Sequence, residues 1–73
     1  MTRKIRIAEY IVNYRHRHGL SQTAFGKLLG VSAYAVSKWE RELCYPDIFL
    51  LSELSVILNV SIDEMLGNSS PRS

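Results

Sequence analysis

From Ile5 to about Arg17, the apolar residues Ile7, Ala8, Ile11 and Tyr14 recur at spacings of three and four, which predicts a first helix with one apolar face. Gly19 ends it. Ser21 is a suitable N-cap for a second helix, whose apolar contacts are expected from Phe25, Leu28 and Leu29. Gly26 stands inside that helix, where glycine costs roughly 1 kcal/mol relative to alanine, so another backbone is expected to pass too close for a side chain. Gly30 offers the left-handed conformation that a tight turn between helices needs. Ser32 then caps a third helix that carries Val36, Trp39 and Glu40 on one face and Tyr34, Ser37, Lys38 and Arg41 on another. Residues 43–46 form a loop, because proline disfavours a helical residue before it, and Asp47 follows as a first-turn acid of a fourth helix. That helix runs to about Leu58, with Ile48, Leu51, Leu54, Ser55 and Leu58 at helical spacing. Ser61 and Glu64 make an S-x-x-E capping box for a last short helix through Leu66, which Gly67 stops. No strand pattern and no internal repeat interrupts this all-α reading.

The stretch from Leu20 to Glu40, LSQTAFGKLLGVSAYAVSKWE, therefore reads as two short helices hinged at Gly30, the second with its polar residues gathered on one side. That layout describes a helix-turn-helix and points to binding of double-stranded DNA. In this geometry Trp39 belongs to the core, since its angular neighbours are Val36 and Leu43.

Seventy-three residues suffice for one small domain, and 47% hydrophobic with 22% charged residues is the composition of a folded globular chain. The expected division is a domain over residues 1–67 and a polar tail over 68–73. The net charge of +2 says little, but its distribution says more. Through residue 41, eight Lys/Arg stand against Glu9 and Glu40, a balance of +6; beyond it Arg72 stands against five acids, a balance of −4. A chain divided in this way can turn a basic side to an anion and an acidic side away from it.

The single cysteine, Cys44, excludes an intramolecular disulfide and a multi-cysteine zinc site, and it reads as a packing residue of a reducing compartment. His16 and His18 are two apart and cannot chelate one metal from a regular helix face, so no metal and no cofactor is expected. No apolar run approaches the roughly 20 residues that span a bilayer, and no signal-peptide cleavage pattern follows Arg3, Lys4 and Arg6. The expectation is a cytoplasmic protein without a membrane partner. There is also no Ser/His/Asp or Cys/His arrangement and no glycine-rich phosphate loop, so an enzyme is not expected.

Five fragments in order, LSQ at 20–22, LLGVS at 28–32, VSKWER at 36–41, PD at 46–47 and LNVSIDEML at 58–66, resemble the Cro and lambda-repressor type (XRE-like) helix-turn-helix family over residues 7–66. The resemblance implies a compact bundle of five helices in which the second and third bind DNA. It further implies a sequence-specific transcriptional regulator, usually a repressor, working as a homodimer on a near-palindromic operator. It places Arg15 opposite Glu40 as a largely buried ion pair, with Arg15 also close to the DNA backbone. Glu40 already falls on the packed face, where an unpaired carboxylate is costly.

By the same resemblance, the base-reading positions are Ala33, Tyr34, Ser37 and Lys38, while Gln22 and Ser32 approach phosphates. Arg41 reads as a further phosphate contact. The sequence departs from the family pattern at Glu42, which replaces a usual glycine, and at Leu43, Cys44 and Tyr45, which fill an often basic loop. Phe49 and Val56 replace usual charged residues of the fourth helix and lie seven apart on one face. They are candidates for a homodimer interface, or alternatively for a thickened core. A second reading of the whole chain is a protein-interaction adaptor or antitoxin-type module that uses this apolar stripe.

Overall fold

The computed structural model describes residues 5–67, in which the chain forms α1 (Ile7–His18), α2 (Gln22–Leu29), α3 (Ala33–Glu40), α4 (Ile48–Leu58) and α5 (Ile62–Met65). No strand occurs among the described residues. The expected tail over 68–73 and the basic residues Arg3, Lys4 and Arg72 lie outside them.

Most helix boundaries have a local cause. Ser21 Oγ accepts from the amide of Ala24 at 3.0 Å, Ser32 Oγ from Ala35 at 3.1 Å and Asp47 Oδ1 from Leu50 at 3.0 Å, so each satisfies a donor that the first turn leaves unpaired. Ser61 and Glu64 form the reciprocal capping box, with bonds of 2.9 and 3.0 Å. Asp47 is thus an N-cap and not a residue of the first turn. α1 lacks a side-chain cap. Its preceding residue, Arg6, instead donates its amide to the carbonyl of Met65 at 2.8 Å and ties the start of α1 to the end of α5.

The turn between α2 and α3 depends on two glycines. Gly30 adopts φ 73°, a left-handed conformation that most side chains resist. Gly26 has a different constraint: a Cβ there would lie 2.5 Å from the carbonyl oxygen of Val31, whose amide bonds back to the Gly26 carbonyl at 2.9 Å. The close backbone inferred from the sequence is the chain's own turn into α3.

Every helix contributes to one core, made of Ile7, Ile11, Phe25, Leu29, Val36, Trp39, Leu54, Leu58 and Met65. Burying such a side chain fully stabilises the fold by about 1.5–3 kcal/mol. Two residues expected inside lie outside. Leu28 is exposed because α2 packs through Phe25, Gly26 and Leu29, and at 100° per residue Leu28 sits roughly 110° from the centre of that face. Ile48 is exposed for the same reason on α4, whose buried face is centred near Leu54 and Leu58. Trp39 is buried, but Leu43 does not accompany it: Glu42 turns the chain with φ 62° and leaves Leu43 exposed. The helix ends also shift slightly, with α1 covering Ile7–His18 instead of 5–17, and α5 stopping at Met65 with Leu66 as its C-cap.

Candidate nucleic-acid interface

α3 buries Val36 and Trp39, so residues half a turn away face solvent. Tyr34 is 68% exposed, Arg41 is exposed, and Ser37 and Lys38 are half-buried beside them. These side chains pair along the helix. The Lys38 ammonium lies 5.0 Å from the centre of the Tyr34 ring, and Arg41 Nε donates to Ser37 Oγ at 3.1 Å. Ala33, the first residue of α3, is half-buried at the same end, and Ser32 precedes it as the exposed cap. The amides at the starts of α2 and α3 precede the first intrahelical hydrogen bonds, and helix starts of this kind favour anions.

A three-residue network holds this arrangement together. Arg15 Nε donates to Glu40 Oε2 at 2.6 Å and Arg15 Nη2 to Glu40 Oε1 at 2.9 Å, a two-pronged contact, while Nη1 donates to the carbonyl of Leu20 at 3.0 Å. The two side chains are only 15% and 9% exposed. Gln22 Nε2 adds a third bond to Glu40 Oε1 at 3.0 Å. Burial pushes the Glu40 carboxyl up, but the hydrogen bonds from Arg15 and Gln22, the Arg15 charge and the more distant His16 together outweigh it, leaving the group below the ordinary 4.5. The bond to Glu40 correspondingly holds the Arg15 guanidinium above its ordinary value against the opposing effect of burial.

Thus α1, α2 and α3 are tied through one carboxylate. Gln22, assigned from the sequence only to a phosphate, has one of its amide donors committed inside the protein. No sequence rule connects it to a residue eighteen positions later.

Phe49 and Val56 are 81% and 79% exposed on the side of α4 opposite its core face, which overturns the alternative that they thicken the core. Ile48 and Tyr45 are exposed as well, so the apolar surface is larger than the two residues singled out in the sequence. Cys44 is half-buried against the core. His18 stacks on Tyr14 with ring centres 4.2 Å apart, and no group of three potential metal ligands occurs among the described residues. A groove of about 740 Å³ between α1 and the end of α4 contains none of the exposed α3 residues. No helix among the described residues is long and apolar enough to cross a membrane.

A helix-turn-helix family model matches residues 11–65. Among solved structures, the P22 c2 repressor in complex with a synthetic operator is 35% identical over 90% of this chain and all of that one, with a TM-score of 0.77. The solution structure of the P22 c2 repressor DNA-binding domain is 33% identical over the whole of this chain and 95% of that one, with a TM-score of 0.73. A transcriptional regulator from Listeria innocua is 28% identical over 93% of this chain and 64% of that one, with a TM-score of 0.78. No curated protein sequence matches the chain.

Proposed function

The chain belongs to the helix-turn-helix family, and from that premise we propose that it is a sequence-specific repressor that enters the major groove of duplex DNA with α3. One observation carries this reading: Tyr34, Ser37, Lys38 and Arg41 share the solvent side of α3, next to the capped starts of α2 and α3. Ala33, Tyr34, Ser37 and Lys38 then face base edges, while Ser32, Gln22, Arg15 and Arg41 face the backbone. Support for a DNA partner comes from the likeness to the P22 c2 repressor, which is bound to an operator in one of the matched structures.

The apolar stripe of α4 supports a homodimer, because Ile48, Phe49 and Val56 form an exposed surface that a second copy can cover symmetrically. A dimer of this kind fixes the spacing of two half-sites. A duplex-DNA partner and a free thiol at Cys44 fit the cytoplasm. The adaptor reading rests on the same stripe alone and leaves the polar face of α3 without a role.

Titrating a labelled duplex at two salt concentrations tests the proposal. Binding that weakens steeply with salt is the expected result, since each neutralised phosphate contributes about −0.9 to the logarithmic slope. A flat dependence would remove DNA as the partner.

A further inference from the structure

Donors dominate the outer face of α3. Lys38 and Arg41 only donate, Ala33 offers a methyl, and Tyr34 offers a ring face and a hydroxyl that can donate or accept. Ser37 Oγ already accepts from Arg41 Nε at 3.1 Å, which leaves its O–H and one lone pair. Glu40, the one acid of α3, has both oxygens engaged by Arg15, and Gln22 adds a bond to one of them. No Asn, Gln, Asp or Glu therefore stands on this face to accept from a base amine.

Resting on the DNA-binding reading above, we infer that α3 draws its selectivity from the keto edges of its operator, guanine N7 and O6 and thymine O4 and methyl, and takes little from the exocyclic amines of adenine and cytosine. In the major groove those amines are donors, donors facing Lys38 and Arg41 have no partner, and only the hydroxyls of Ser37 and Tyr34 are left to accept from them. Tyr34 acts here as a positioning residue. Its ring holds the Lys38 ammonium, at 5.0 Å, over the groove face of the helix, and its apolar surface with Ala33 suits a thymine methyl beside the guanine that Lys38 reads.

The test starts by selecting sites from a random duplex pool with the full chain, then replaces single bases in the selected half-site by analogues. Replacing guanine by 7-deazaguanine is expected to weaken binding about five-fold or more at one position, and replacing thymine by deoxyuridine about three-fold. Removing the amine from the groove, with 2-aminopurine for adenine or 2-pyrimidinone for cytosine, is expected to change affinity by less than about two-fold. Lys38→Ala should abolish the sensitivity to 7-deazaguanine. Tyr34→Phe, which keeps the ring, should keep the unaltered protein's ratio of affinities for the guanine site and its 7-deaza analogue, whereas Tyr34→Ala should lose about two- to five-fold more on the guanine site than on that analogue. An amine deletion as costly as the 7-deaza substitution would overturn the inference while leaving DNA binding intact, and so would equal behaviour of Tyr34→Ala and Tyr34→Phe for the positioning role. A pool from which no duplex is enriched would overturn the DNA-binding reading and the inference with it.

Discussion

Gln22 Nε2 donates to Glu40 Oε1 at 3.0 Å, so the first residue of α2 is held by the last residue of α3. The same carboxylate receives Arg15 from α1. The relative placement of α2 and α3 thus depends on one mostly buried charge and its donors, which makes the network a structural element.

Arg15→Ala leaves Glu40 in place with its main partner gone and also removes the bond to the Leu20 carbonyl. Breaking a buried pair from one side typically costs about 3–5 kcal/mol, and the slight exposure of this pair favours the lower end. A thermal melt is expected to show a drop of well over ten degrees for a chain of this size. An unchanged melting temperature would mean that the pair contributes nothing to the fold.

Acid should act on the same network. The Glu40 carboxyl lies below the ordinary 4.5 in the folded chain, so the unfolded chain takes up a proton first as pH falls. The stability it contributes is complete above 4.5 and is lost as pH drops through the depressed folded value. Denaturant melts between neutral pH and pH 3 are expected to show this loss, and Glu40→Gln should reduce its steepness.

At Gly26, helix propensity and tertiary packing oppose each other. Alanine favours a helix interior by roughly 1 kcal/mol over glycine, but its Cβ would meet the Val31 carbonyl at 2.5 Å. Overpacking against backbone costs about 1–3 kcal/mol, so Gly26→Ala should destabilise the protein, as equilibrium unfolding in urea would show. A gain in stability would mean that the turn into α3 relaxes freely.

Glu42 presents the reverse case. Its φ of 62° is a conformation that glycine adopts readily and a side chain resists. Glu42→Gly is expected to raise stability by a few tenths to about 1 kcal/mol, after the added flexibility of the unfolded chain is offset. Calorimetry would detect it as a shift of a few degrees.

The α4 stripe makes a hydrodynamic prediction. Phe49→Glu introduces a charge where the proposed second copy would cover 81% exposed apolar surface, so sedimentation should show a dimer converted to monomer. The same mass before and after the substitution would take Phe49 out of any interface.

What the sequence revealed and what it hid follow from the range of the interactions. Ser21, Ser32 and Ser61 announce helix starts because a cap bonds to an amide three residues away. Gly26 was legible as a close approach, though not as an approach by its own following turn. Leu28 and Ile48 misled because apolar periodicity states that a helix has a face without stating which flank its neighbours cover. The Gln22 bond to Glu40 was hidden for a stronger reason, since it exists only once two helices have docked. On the outer side of α3, the angular grouping of Tyr34, Ser37, Lys38 and Arg41 was readable, but their pairing along the helix was not.

Lys38 and Arg41 should respond differently to substitution. Loss of a base-edge contact weakens a preferred site more than random DNA, whereas loss of a phosphate contact weakens both alike and lowers the salt slope by about one. Lys38→Ala is expected to follow the first pattern and Arg41→Ala the second, in parallel titrations of selected and scrambled duplexes.

The most direct measurement is a heteronuclear NMR titration of the labelled protein with a selected duplex. The largest amide and side-chain shifts should fall on residues 21–23 and 32–41, with the α3 outer face at their centre. Shifts confined to Ile48, Phe49 and Val56, or to the groove between α1 and α4, with α3 unmoved, would contradict a DNA-reading role for that helix.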